Sequence, residues 1–339
     1  MSKGPKWLGN ALKWLLAGGL LFALIKSGKL SVNDVRTFLS NPLYAGEAVL
    51  LCFSALCIVF FRWKVLLQSQ GIRLPYGNVF QLGMLGQFFS SVIPGTVGGD
   101  LVKAVYIARR FPEHKVRVIS TIVMDRFLGL TAMILLSATA FQLGSHRLNE
   151  LQTPGISLIW VLGNVLTVVG VCLVLAFVLF PIFGKKLPEK FPARLQKRLP
   201  MGGGLASIYE AGKAYQSKTR YIWAALGISC ISQMVNVAIL FVISKAVFGP
   251  FPWGQIDAPL FILGSLIGMA AMSLPVAPMG LGVGQVAFAG IFAAIGAPSS
   301  SFGAAIVTGL QFVTLAVNLC GSVFFATYRH EVEASREMA

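Results

Sequence analysis

A chain of 339 residues that is 56% hydrophobic and only 12% charged, with a mean hydropathy of +0.76, stands far from the soluble norm of about 25% charged residues. That balance excludes a soluble enzyme and points to an integral membrane protein built from apolar helices of roughly 20 residues. The net charge of +16 does not imply nucleic acid, because lysine and arginine crowd the cytoplasmic loops of membrane proteins and there attract anionic lipid headgroups.

The first predicted span covers residues 8–25, behind Lys3 and Lys6. No small-x-small cleavage site follows it, so it reads as a retained span rather than a signal peptide. A second span covers 43–61 and ends at Arg62-Trp63-Lys64, which reads as a basic and aromatic anchor at the membrane interface. Residues 79–93 come next and reach only about 22 Å as a helix, short of a hydrocarbon core about 30 Å thick. They meet Pro94-Gly95, where proline breaks the helix and glycine permits a turn. The return arm, 101–110, is shorter still. Arg62, Lys64 and Arg73 precede this segment, and Arg109, Arg110, Lys115 and Arg117 follow it. Both ends therefore read as cytoplasmic, and the segment as a re-entrant hairpin. Backbone at membrane depth is tolerated only inside protein or along a wet cavity, which puts a cavity at the hairpin tip.

A long span over 119–142 follows, then an external loop with His146 and Arg147, then a span over 158–183. Residues 184–220 hold nine lysines and arginines against Glu189 and Glu210, the clearest cytoplasmic loop, and 205–215 within it fits a surface helix. The next span is 221–248. Residues 249–301 contain no lysine or arginine and read as external; two apolar arms, 258–274 and 283–295, flank a second break from Pro275 to Gly284. A last span, 304–328, returns the C-terminus to the inside.

The predicted fold is an all-α polytopic membrane protein, with about six full spans plus two opposed re-entrant helical hairpins in an inverted-topology repeat. Residues 1–150 form the first repeat, with a cytoplasmic-side hairpin over about 79–110. Residues 151–339 form the second, with the basic loop 184–220 and an external-side hairpin over about 258–295. Both termini are expected in the cytoplasm, and the membrane to be the plasma (inner) membrane of a prokaryote. Broken apolar segments at matching places in two halves point to a transporter's binding site. The competing reading makes each hairpin two ordinary spans, about ten in all, and places Asp100 and Lys103 at the far face.

A charge within a span costs at least about 2.5–3.5 kcal/mol at the centre and is a functional candidate by default. Lys13, Glu47, Asp100, Lys103, Asp125, Arg126 and Lys245 qualify. Lys13 and Lys245 lie near span ends, where lysine snorkels to the interface, and Glu47 stands about a turn into its span. Asp100 and Lys103 stand at i and i+3 just past the first glycine turn, where a helix N-terminus offers free N–H groups and a positive dipole end. Asp100 either caps that helix or works with Lys103 to hold a phosphate or carboxylate. Asp125 and Arg126 are adjacent and do not face each other on a helix. Each needs another partner: Arg126 with Asp100, or Asp125 with Lys103. An ion pair that only braces the hairpin accounts for the same residues. The five cysteines and three histidines have no metal-ligand spacing, so no metal and no cofactor is expected. There is no Ser-His-Asp set, and 95–103 lacks the Walker spacing; enzyme activity is not expected.

Arg62-Trp63 followed by Leu66-Leu67, then Pro94-Gly95-x-x-Gly98-Gly99-Asp100 with Lys103, then Asp125-Arg126, then Pro278-x-Gly280-Leu281-Gly282, together resemble the lysylphosphatidylglycerol synthase transmembrane family, the flippase-like membrane domain also seen in UPF0104 proteins. The resemblance covers about 62–328. It implies translocation of a lipid between leaflets. The soluble domain that makes aminoacyl-lipid in two-domain relatives does not appear before Ala339, so synthesis is not expected. Two positions depart from the family: Met279 stands where a glycine is usual, and Gln285 where an acidic residue is usual.

The expected function is therefore a flippase-like transporter for an anionic phospholipid or a polyprenyl-phosphate-linked lipid. Lys103 and Arg126 would contact the headgroup, and Asp100 and Asp125 would tune those charges. Gly95, Gly98, Gly99, Gly280 and Gly282 would let the backbone approach, with Gln285 at the second turn and Arg62, Trp63 and Glu47 as secondary candidates. Expected partners are membrane lipids with anionic headgroups and no nucleic acid; a lipid-modifying enzyme and a second copy of the chain remain open. The alternative is a non-transporting scaffold or regulator that binds lipid or such an enzyme through 184–220. A third reading, a small-solute or ion-coupled transporter, requires a cavity sealed from lipid.

Overall fold

The computed structural model describes residues 32–92, 98–153, 155–183, 215, 218–273, 282–299 and 301–324. The predicted first span, both hairpin tips with Gly95 and Gly280, and nearly all of the basic loop lie outside the described residues, as does the C-terminal end of the last span. What is described is helical, with one isolated bridge between Trp253 and Ile256. This is an all-α polytopic membrane protein.

A short α1 (Val32–Leu39) leads into α2 (Pro42–Ser69). The proline opening α2 sits where a missing N–H costs nothing. α3 (Tyr76–Val92) and α4 (Gly98–Arg110) form the first pair of short helices, and a 3-10 turn at Pro112–His114 leads to α5 (Lys115–Glu150). α6 (Ile156–Phe183) and α7 (Thr219–Phe248) follow. The second short pair is α8 (Ala258–Met272) and α9 (Val283–Ala294), and α10 is Phe302–Leu319. Asp257 caps α8, accepting the Leu260 N–H at 3.0 Å.

Among the described residues, five helices are long and apolar enough to cross a membrane: α2, α5, α6, α7 and the α10 segment, which continues to Phe324. α3, α4, α8 and α9 have 17, 13, 15 and 12 residues. The longest of them reaches about 25 Å, short of the hydrocarbon core.

Each short pair folds back on itself through glycine. In the first pair, a Cβ on Gly99 would collide with the Gly86 carbonyl and the Ser90 hydroxyl, and Lys103 lies across Gly86. In the second, Gly264 faces Phe292 and Ile295, Gly268 faces Phe288, and Gly284 faces Met272. Both registers run antiparallel, so both pairs are helical hairpins.

The halves pack in matching ways. α3 lies on α2 and α10, as α8 lies on α7 and α5. α4 packs on α5, as α9 packs on α10. α2 touches α5 and α10, as α7 touches α10 and α5, and α2 and α7 run together at the centre. Exchanging α2 with α7, α3–α4 with α8–α9, and α5 with α10 therefore maps each of these packed pairs onto another. The larger core cluster gathers around α7–α10 and includes Phe261, Phe288, Phe292 and Phe302; a second, with Phe60, Trp63 and Ile107, fills the first hairpin's side.

Two expectations are corrected. α2 does not end near Phe61 but runs eight residues on to Ser69, so Arg62 and Trp63 lie inside it at 6% and 3% exposure rather than at an interface. Each is drawn inward by a partner: Arg62 by Asp125, and Trp63 by Thr121, whose hydroxyl accepts the indole N–H at 3.1 Å. His146 and Arg147 belong to the last turns of α5 rather than to a loop. Arg147 pairs there with Glu150 and, at 3.5 Å, with Asp257, tying the end of α5 to the start of α8.

Candidate functional site

The ends of both hairpins meet at a cavity of about 370 Å³. Gln87, Ser90 and Ser91 reach it from the end of α3, Asp100 and Lys103 from the start of α4, and Met272 and Ser273 from the end of α8. α2, α5, α7 and α10 complete the wall. The arms stop at this depth because their helices run out at the proline-glycine breaks.

Two charge clusters line it. In the first, Arg62 forks onto Asp125: Nε donates to Oδ1 at 2.7 Å and Nη2 to Oδ2 at 2.8 Å. Nη1 donates to the Ser229 hydroxyl at 2.9 Å. Such a two-pronged pair is stronger and better oriented than a single contact. Gly129 makes room for it, since a Cβ there would stand 3.2 Å from Nη1.

In the second cluster, Asp100 accepts from two cations. Arg126 donates through Nε to Oδ2, and Lys103 approaches Oδ1 at 3.5 Å. Lys103 is further held between aromatic faces, 5.7 Å from the Trp63 ring centre and 5.9 Å from that of Phe60. The side chains of Asp100 and Lys103 are 14% and 11% exposed, whereas that of Arg126 is 51% exposed. Arg126 shares its exposed stripe of α5 with Ile119 and Leu130, so it stands at the cavity's mouth. Among the described lining residues, three cations stand against two carboxylates.

Of the residues singled out in the sequence, Asp100, Lys103, Asp125, Arg126 and Arg62 come together at this cavity. Arg126 meets Asp100; Asp125 takes Arg62 rather than Lys103. Trp63 supports Lys103 from behind. Gly98 and Gly99 are buried at the start of α4, Gly99 where α3 and α4 cross. Gln285 is buried and does not line the cavity. Its Oε1 accepts the Gly282 N–H at 2.8 Å, closing the start of α9, and its Nε2 donates to the Gln311 side chain at 2.7 Å. Gly282 has φ +82°, a conformation that only glycine adopts readily. An ionised carboxylate at 285 could not make that donation, which gives the amide a physical reason. Glu47 is exposed on α2 and lies apart from the cavity lining.

Sequence reasoning missed the cavity's uncharged lining. Ser232, Gln233 and Asn236 on α7, and Gln311, Thr314 and Asn318 on α10, line it too. The available signal was their helical spacing inside apolar spans, which sets them on one face. Among the described residues no cluster of His, Cys, Asp or Glu could hold a metal ion.

The model of a family described as the lysylphosphatidylglycerol synthase TM region matches residues 10–321. A UPF0104 membrane protein of Methanocaldococcus jannaschii is 28% identical over 133 residues, 38% of this chain and 39% of that protein. The match thus spans about two fifths of that relative's length. A UPF0104 membrane protein of Pyrococcus horikoshii is 24% identical over 260 residues, 74% of this chain and 76% of that protein.

Proposed function

This chain belongs to the lysylphosphatidylglycerol synthase TM-region family, and on that premise we propose that it moves an anionic phospholipid or a polyprenyl-phosphate-linked lipid between the leaflets of its membrane. The observation that carries the reading is the gathering of Lys103 and Arg126 around Asp100 at a hollow among apolar helices. A phosphate is the anion that Lys103 and Arg126 would take in exchange for Asp100. Arg126 at the mouth would meet the headgroup first and Lys103 deeper in, while the acyl or prenyl tails stay in the bilayer. Asp100 is the built-in competitor that occupies both cations until the phosphate arrives.

The matched packing of the halves supports an inverted repeat whose hairpins enter from opposite faces, the arrangement that lets one hairpin seal the cavity while the other opens. No covalent bond is made or broken in this cycle. The nine cations of 184–220, set against none in 249–301, support a cytoplasmic placement of that loop and, with it, of both termini.

The test is leaflet exchange of a fluorescent anionic phospholipid in reconstituted vesicles. Wild type should exchange it well above empty vesicles, and Arg126→Ala should slow exchange by about tenfold, a loss of about 1.4 kcal/mol. Equal rates for wild type, Arg126→Ala and empty vesicles across several anionic lipids would refute the proposal.

A further inference from the structure

The matched packing of the halves extends to single residues. Asp100 is the third residue of α4, and Gln285 the third of α9. Each bonds to a side chain 26 positions on, in the long helix that follows: Asp100 accepts from Arg126 of α5, and Gln285 donates to Gln311 of α10 at 2.7 Å. One turn beyond Asp100, Lys103 lies across Gly86 of α3; one turn beyond Gln285, Phe288 lies across Gly268 of α8. The same bridge from hairpin to long helix is thus built twice, from charged residues in the first half and from neutral ones in the second.

The two bridges also differ in exposure. Arg126 is half-exposed at the cavity's mouth, whereas Gln285 and Gln311 are 1% and 5% exposed. Gln311 forms part of the cavity wall, and Gln285 stands behind it. α9 is seated closely on α10 here, since a Cβ on Gly303 would collide with the Phe288 carbonyl. Gln285 also accepts the Gly282 N–H at 2.8 Å, so one amide ties the inner end of the second hairpin both to its own first turn and to α10. An anion draws on the cations of the first bridge. The buried amide pair offers it no charge, and entry there would cost the anion its hydration.

We propose that Gln285 and Gln311 are positioning residues that hold the second hairpin against α10, sealing the cavity on that hairpin's face of the membrane while its mouth at Arg126 stays open. The inference rests on the lipid-carrying function proposed above and names what keeps its far side shut. Charge is then sensed at the first hairpin alone, and the second is a gate indifferent to it.

The experiment reads the sidedness of the cavity. The full-length protein, with one cysteine at Ser273 in a background freed of the native cysteines, is placed in phosphatidylcholine vesicles of known protein orientation. A small membrane-impermeant thiol reagent is then added to one face at a time. Without further substitution, labelling should be slow from the second hairpin's face. Gln311→Leu and, separately, Gln285→Met should speed labelling from that face by about tenfold, the effect of one lost bond that strands a buried partner. Neither should change the rate from the opposite face, which a general loosening of the fold would also raise. The double substitution should be no faster than Gln285→Met, because one bridge breaks only once. Equal rates from both faces before substitution, folded variants that label from the second hairpin's face no faster than their parent, or a rise from both faces alike overturns the inference. Any of these with leaflet exchange intact leaves the proposed function standing, whereas absent leaflet exchange in wild type removes the function on which the inference rests.

Discussion

Arg62 and Arg126 show how the same residue type serves two ends within one cavity. Arg62 is enclosed, forked onto Asp125 and bonded to Ser229, and so ties α2 to α5 and α7. Arg126 is half-exposed and shares Asp100 with Lys103. Removing one member of an enclosed pair strands the other charge and costs about 3–5 kcal/mol, whereas replacing both by apolar groups is often neutral. Asp125→Ala should therefore lower the thermal unfolding midpoint in detergent sharply, and the double substitution Arg62→Met with Asp125→Leu should recover most of the loss. A single variant as stable as the double would show that Arg62 is not buried as described. The sequence revealed Asp125 and Arg126 as charges needing partners, but Arg62 looked like the end of a span. An arginine after about 20 apolar residues reads as an interface residue; only its partner, 63 positions away, reveals otherwise.

At the scale of elements, the hairpin arms were legible and the long helices less so. Arms predicted at 258–274 and 283–295 fold as Ala258–Met272 and Val283–Ala294, because the proline-glycine breaks fix their inner ends. α5 extends well beyond the predicted 119–142 on both sides, since a helix that leaves the apolar zone keeps its backbone bonds and only its composition changes. The glycines inside helices were not separable by sequence, yet they differ physically. Gly99 sits where two backbones cross, whereas a Cβ added to Gly227 on α7 would meet nothing within 4 Å. Gly99→Val should separate α3 from α4 and cost about 3 kcal/mol of stability, with lipid exchange lost. Gly227→Ala should instead stabilise by about 0.5–1 kcal/mol through helix propensity. Thermal unfolding of the two variants side by side checks both signs.

For the whole molecule, hydropathy indicated a bundle but not its order. α6 is the most apolar of the five long helices and the least buried, while the α10 segment is the most buried. Lipid is as apolar as a protein core, so strength of hydrophobicity does not tell the rim from the centre. The position of the cavity followed from the two breaks; its neutral lining did not, because amides and hydroxyls in apolar spans carry no charge signal. The proposed function requires both hairpins to end in one water-accessible, positively charged hollow that accepts an anionic headgroup. Its most direct test places single cysteines at Ser90, at the end of α3, and at Ser273, just past α8, in a background freed of the five native cysteines. A small charged thiol reagent should label both positions, and an anionic phospholipid should slow both reactions while phosphatidylcholine does not. Labelling of neither position, or rates indifferent to the anionic lipid, would contradict the account.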